Sequence, residues 1–184
     1  MNTEKKAYTL SILVEDIPGV LSQVARLFSR KGYNIESICA GVTTQPGMTR
    51  ISVVTMGDEK MISQLSAQIS KLLPVYTVDV LTGEDSVQRE LVLIKVNTAD
   101  KDARDEIIQI VNVFRASILD LAKDTLTIAM LGTADKTKAI LNLLEEFGIL
   151  EIARTGMVAL ERGRNNIHAQ NKLKEEYNYG KTVL

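Results

Sequence analysis

Apolar and polar positions alternate along residues 8–15 (YTLSILVE), putting Leu10, Ile12 and Val14 on one side, and the pattern breaks at Asp16-Ile17-Pro18-Gly19. This predicts a strand running into a helix start. Val20, Leu21, Val24, Leu27 and Phe28 then recur at helical spacing until Gly32, which gives a helix with one buried stripe. Residues 35–42 and 50–56 are rich in β-branched side chains and are separated by Thr43-Thr44-Gln45-Pro46-Gly47, as in a hairpin. Met61, Ile62, Leu65, Ile69, Leu72 and Leu73 predict a second helix over 59–73, which Pro74 ends before a strand over 75–80.

The same order returns in the second half. The spacing predicts a strand over 90–96, a helix over 102–114, a strand pair at 117–121 and 125–131, a helix over 136–147 and a strand over 149–153. RISVVTMG, ending at Gly57, is echoed by TLTIAMLG, ending at Gly132, and each copy later reaches a Thr-Gly step, Thr82-Gly83 and Thr155-Gly156. Two tandem βαββαβ units account for this. Each is expected to form a four-stranded antiparallel sheet with both helices on one face. The other face then needs a cover, from a partner chain or from the sister unit. Gly83-Glu84-Asp85-Ser86 is the expected boundary, and beyond Leu160 the pattern dissolves into a polar tail, 161–184.

Composition narrows the chemistry. Among 184 residues, 22 basic and 23 acidic side chains nearly cancel, so no global field draws a polyanion and nucleic acid is not an expected partner. No run approaches the ~20 apolar residues of a membrane span. MNTEKKAY carries no long apolar leader and Cys39 is the single cysteine, so a cytoplasmic protein with a core thiol is expected. With His168 as the single histidine, placed in a polar stretch, no metal site or Cys-His pair is expected. The phosphate-cradling GxGxxG and GxxxxGK[ST] loops do not occur. No catalytic constellation emerges.

The two copies diverge at the turn from first strand to first helix. Copy one reads Glu15-Asp16-Ile17-Pro18-Gly19-Val20-Leu21, whereas copy two has Asn97-Thr98-Ala99-Asp100-Lys101, with neither proline nor glycine. Gly19 leaves the amides of Val20 and Leu21 approachable, and a helix start attracts an anion such as a carboxylate. Asp16 offers a partner for a cation, so a zwitterion fits the loop. Asn34, where helix passes to strand, can donate and accept. The same residues also read as an Asp N-cap, a first-turn proline and a turn asparagine.

Asp16-Ile17-Pro18-Gly19-Val20-Leu21, the phrase RKGYNIES over 30–37, Gly57-Asp58-Glu59, Gln88-Arg89-Glu90-Leu91 and Ala153-Arg154-Thr155-Gly156 resemble the small regulatory subunits of acetohydroxyacid (acetolactate) synthase. The resemblance implies an α+β chain of two tandem ferredoxin-like units. These are an amino-acid-binding ACT domain over 1–83 and an ACT-like domain over 84–160. It further implies a non-catalytic subunit that activates a catalytic large subunit, the bearer of thiamine diphosphate, magnesium and FAD, and confers feedback inhibition by a branched-chain amino acid, usually valine. Carried onto this sequence, the effector residues are Asp16, Ile17, Pro18, Gly19, Val20, Leu21, Asn34 and Ile35. A homodimer through the first units is expected, with Asn34 of one chain reaching the loop of the other. The alternative is a free-standing ACT-type sensor serving another enzyme or regulator. Gly57-Asp58-Glu59 lacks the second glycine of the Gly-Asp-Gly that opens a thiamine diphosphate site, so no cofactor is expected in this chain.

Overall fold

The computed structural model describes residues 5–98, 101–165 and 167. Its elements run β1 (Lys6–Glu15), α1 (Val20–Lys31), β2 (Ser37–Val42), β3 (Met48–Gly57), α2 (Glu59–Ile69), β4 (Val75–Leu81), β5 (Ser86–Asn97), α3 (Lys101–Val113), β6 (Ser117–Leu121), β7 (Thr125–Gly132), α4 (Ala134–Leu144), β8 (Ile149–Arg154) and β9 (Val158–Glu161). The first sheet has the order β2-β3-β1-β4 and the second repeats it as β6-β7-β5-β8. The strand pairs within these two orders are antiparallel, and β9 also pairs with β5. The chain is thus α+β, with two tandem ferredoxin-like units.

Each unit has its own core. In the first, Leu10, Ile12 and Val14 of β1 and Ile51 and Val53 of β3 pack under Val24, Leu27 and Phe28 of α1 and Ile62, Leu65 and Ile69 of α2. In the second, Val92, Ile94, Val96, Leu126, Ile128 and Met130 lie under Ile107, Val111, Ile140 and Leu144. The period-2 and period-3.6 stripes of the sequence meet here.

Several boundaries depart from expectation. α2 ends at Ile69, before the four residues that Pro74 was expected to close. The chain tightens into three-residue turns, with Lys71 N–H donating to Gln68 at 3.2 Å and Leu72 N–H to Ile69 at 3.0 Å. Pro74 disfavours helical geometry at the residue before it, and Leu73 is 99% exposed. Ser86 is not linker: it opens β5 and is buried, so the connection is the turn 82–85, where the Thr82 hydroxyl donates to Asp85 at 3.1 Å.

No pattern in the sequence marks the ninth strand. The two compact units are 89–156 and the remainder, so β9 sits with the first unit, not with 84–160. Met157 N–H donates to the Ser37 hydroxyl at 2.9 Å and Arg162 N–H to the Asp85 carbonyl at 2.8 Å. Ile167 is buried with Leu13 and Met48. The open face of the first sheet therefore takes cover from its own chain. That face is also more polar than expected, carrying Ser11, Arg50, Ser52 and Asp79. Beyond 167 the expected tail, His168 included, lies outside the described residues.

Candidate functional site

Gly19 is the N-cap residue of α1, in the left-handed conformation at φ 85°, where an L side chain is strained, and no side chain caps the helix. Asp16 does not cap: its N–H donates to the Gly47 carbonyl at 2.8 Å and its Oδ1 accepts from the Thr49 hydroxyl at 3.1 Å. Val20 N–H reaches the Ile17 carbonyl at 3.4 Å, so this amide is partly engaged, and Gln23 N–H donates to Gly19 at 3.0 Å. Leu21 lies in the first turn, where amides have no intrahelical acceptor.

The start of α1 differs from the other helix starts. Asp58 caps α2 by accepting from Met61 N–H, and Thr133 caps α4 by accepting from Lys136 N–H. A carboxylate stands in the first turn of α2, α3 and α4, and none in that of α1. The positive end of the α1 dipole is left uncompensated. A Cβ at Gly19 would meet nothing within 4 Å, so the approach is open. Ile17 and Leu21, each 43% exposed, flank it with apolar surface, and Pro18 is exposed beside them.

Asn34 is exposed, its Nδ2 donating to Glu36 Oε1 at 2.7 Å and its carbonyl accepting from the Thr55 hydroxyl at 2.7 Å. Ile35 packs half-buried on the first core. The structure does not bring Asn34 to the Asp16 loop of the same chain. Thr55 pairs with Tyr8 whereas Met48 pairs with Glu15, so the two stand at opposite ends of the sheet. The 12 residues of α1 separate them by about 18 Å, at about 1.5 Å each. Thr49, Gly47 and Glu36 were not singled out in the sequence. The hairpin register puts Thr49 next to β1, and only that register could have revealed it.

Gly57 and Asp58 serve the start of α2: a Cβ at Gly57 would run into Met61 Sδ, and Asp58 is spent on its cap. Cys39 is half-buried, not a core thiol. It lines a cavity of about 380 Å³ with Ser52, Val158 and Leu160. Among the described residues, no three His, Cys, Asp or Glu gather as a metal site and no helix is long and apolar enough to cross a membrane.

Residues 10–77 match the AHAS small subunit-like ACT domain and residues 89–163 match a family described as the small subunit of acetolactate synthase. The acetolactate synthase small subunit of Mycobacterium bovis is 45% identical over 162 residues, covering 88% of this chain and 96% of the relative. That of Mycolicibacterium smegmatis is 43% identical over 169 residues, covering 92% and 99%. The crystal structure of the acetolactate synthase small subunit from Thermotoga maritima is 38% identical, covers 87% of this chain and 99% of that one, and superposes with a TM-score of 0.79. Near-complete coverage at such identity leaves one assignment: the chain belongs to the acetolactate synthase small subunits.

Proposed function

We propose that this chain is the regulatory subunit of acetolactate synthase. It binds and activates a catalytic large subunit that condenses two pyruvates to 2-acetolactate and CO2, in the cytoplasm, and makes it sensitive to a branched-chain amino acid, valine first. Thiamine diphosphate, magnesium and FAD belong to the large subunit. The observation that carries the effector reading is the uncapped, uncompensated start of α1 at Gly19. An effector carboxylate sits on the amides around Gly19, Val20 and Leu21, Leu21 giving the freest, with Asp16 near the ammonium and Ile17 along the side chain.

Asn34 joins from a second copy. β2 is the edge of its sheet, and an edge strand seeks a partner. Two β2 strands paired antiparallel about a two-fold axis set the Asn34 end of one against the Val42 end of the other. Val42 pairs with Thr49, whose hydroxyl holds Asp16. Both halves of the site then meet, and effector and dimer stabilise each other.

The test is the purified chain added to its large subunit, with pyruvate turnover measured with and without valine. The chain alone is expected to turn over no pyruvate and the mixture to run faster than the large subunit alone. Gly19→Val, whose side chain enters the open space before the amides, is expected to lift inhibition while activation survives. No increase in rate, together with capture of a different enzyme, favours the free-standing sensor. A stable monomer at micromolar concentration in ultracentrifugation removes the shared site. A methylene in an apolar pocket is worth about 1–3 kcal/mol, so leucine and isoleucine are expected to compete with valine.

A further inference from the structure

The open face of the first sheet holds a second polar constellation, which shares no residue with the Gly19 loop or Asn34. Ser11 pairs with Ser52 and Asp79, and Leu13 pairs with Arg50, so Ser11, Arg50 and Asp79 lie on the face away from the helices. Arg50 Nη1 donates to the carbonyl of Ala159 in β9 at 3.3 Å. Between sheet and β9 lies a cavity of about 170 Å³, whose wall includes Ser11, Arg50, Asp79, Leu160, Glu161 and Ile167.

This cavity is built but unsatisfied. Ser11 is 1% exposed and its hydroxyl makes no hydrogen bond within the protein; the same holds for the buried Oε2 of Glu161. Buried polar atoms rarely go without a partner. Burial pushes the Arg50 guanidinium down from its usual value, while Asp79 and Glu161 pull it up. Two carboxylates face one guanidinium, so a lone anion would meet both acids and a lone cation would meet the arginine. An occupant must bring a cationic donor for Glu161, an anionic acceptor for Arg50 and Ser11, and an aliphatic part for Leu160 and Ile167. The volume, that of about five or six waters, suits a small occupant.

We propose that this cavity is a second amino-acid site, taking a small aliphatic α-amino acid with its ammonium on Glu161 and its carboxylate against Arg50 and Ser11. The test is a titration of the full-length, 15N-labelled chain with L-valine and L-alanine, followed by amide shifts. The expected result is a saturable shift at Ser11, Asp79 and Leu160 that persists in Asn34→Ala and weakens at least tenfold in Glu161→Gln. Isobutylamine and isobutyrate, each lacking one charge, are expected not to saturate these amides. Should Glu161→Gln lose its spectral dispersion, Ser11→Ala, expected to weaken the shift several-fold, replaces it. No saturable shift at these amides, or one unchanged in the variant, overturns the proposal and leaves a water-filled cavity. Failure of the effector reading shows separately, at Gly19, Val20 and Leu21.

Discussion

The two units share a scaffold down to single hydrogen bonds. In the first, Glu15 N–H donates to Pro74 at 2.9 Å and Asp16 N–H to Gly47 at 2.8 Å; in the second, Asn97 N–H donates to Gly148 at 3.0 Å and Thr98 N–H to Asp124 at 2.8 Å. Gly57 and Gly132 both stand where a Cβ would crowd the next helix, and Asp58 and Thr133 cap alike. The difference begins with the side chains at that second position. The first unit leaves Asp16 exposed and proceeds through Pro18 to a left-handed Gly19 and an uncapped helix, whereas the second buries Thr98, 1% exposed. Duplicated backbone thus does not duplicate the side chains at this turn.

The largest effect breaks the symmetry of the cores. Ile12 and Ile94 occupy equivalent central positions at 0% exposure, and Ile12→Ala or Ile94→Ala is expected to cost about 2–5 kcal/mol. Hydrogen exchange is expected to quicken only in the unit that carries the change; equal loosening of both would mean a single cooperative core. Next in size is the contrast between edge strands. Asn34→Ala is expected to weaken valine binding tenfold to a hundredfold, about 1–3 kcal/mol, whereas Ser117→Ala, at the start of β6, is expected to leave it unchanged. Calorimetry on both checks this, and equal loss would move the site.

Smaller effects sharpen the likeness. Asp58→Ala and Thr133→Ala each remove a helix cap and are expected to cost about 1 kcal/mol, seen as matching falls in melting temperature. Smallest is the helix C-terminus. α1 ends on Gly32 at φ 68°, but the chain after α3 places Arg115 at φ 51°. A non-glycine residue there is strained, so Arg115→Gly is expected to stabilise by about 0.5–1 kcal/mol in chemical denaturation. A loss of stability instead would mean that the Arg115 side chain contributes more than its backbone costs.

Most of this scaffold could be read from the sequence because period and punctuation agree. β6 needed no correction, and α1 begins after Pro18-Gly19 and stops at Gly32 as the pattern predicts. β9 was hidden because only Ala159 of Val158-Ala159-Leu160-Glu161 is fully buried, and a lone small residue leaves no stripe. In the sequence Ile167 belongs to the polar tail, because its partners, Leu13 and Met48, lie more than 100 residues earlier. Gly19 was legible as an open helix start, since a missing side chain is a local fact. The Thr49 hydrogen bond, the burial of Ile35 and the separation of Asn34 from Asp16 depend on register and packing, which no local pattern encodes.

That separation has a genetic consequence. If neither end of α1 makes a whole site within its own chain, Gly19→Val and Asn34→Ala homodimers are both expected to respond to valine only at raised concentration. Mixed chains are not equivalent to either. In a heterodimer one of the two sites collects both lesions and the other collects none, so on random assortment about one quarter of all sites are intact. Two alleles that each fail alone would then complement each other in one cell, whereas two alleles of the same loop would not.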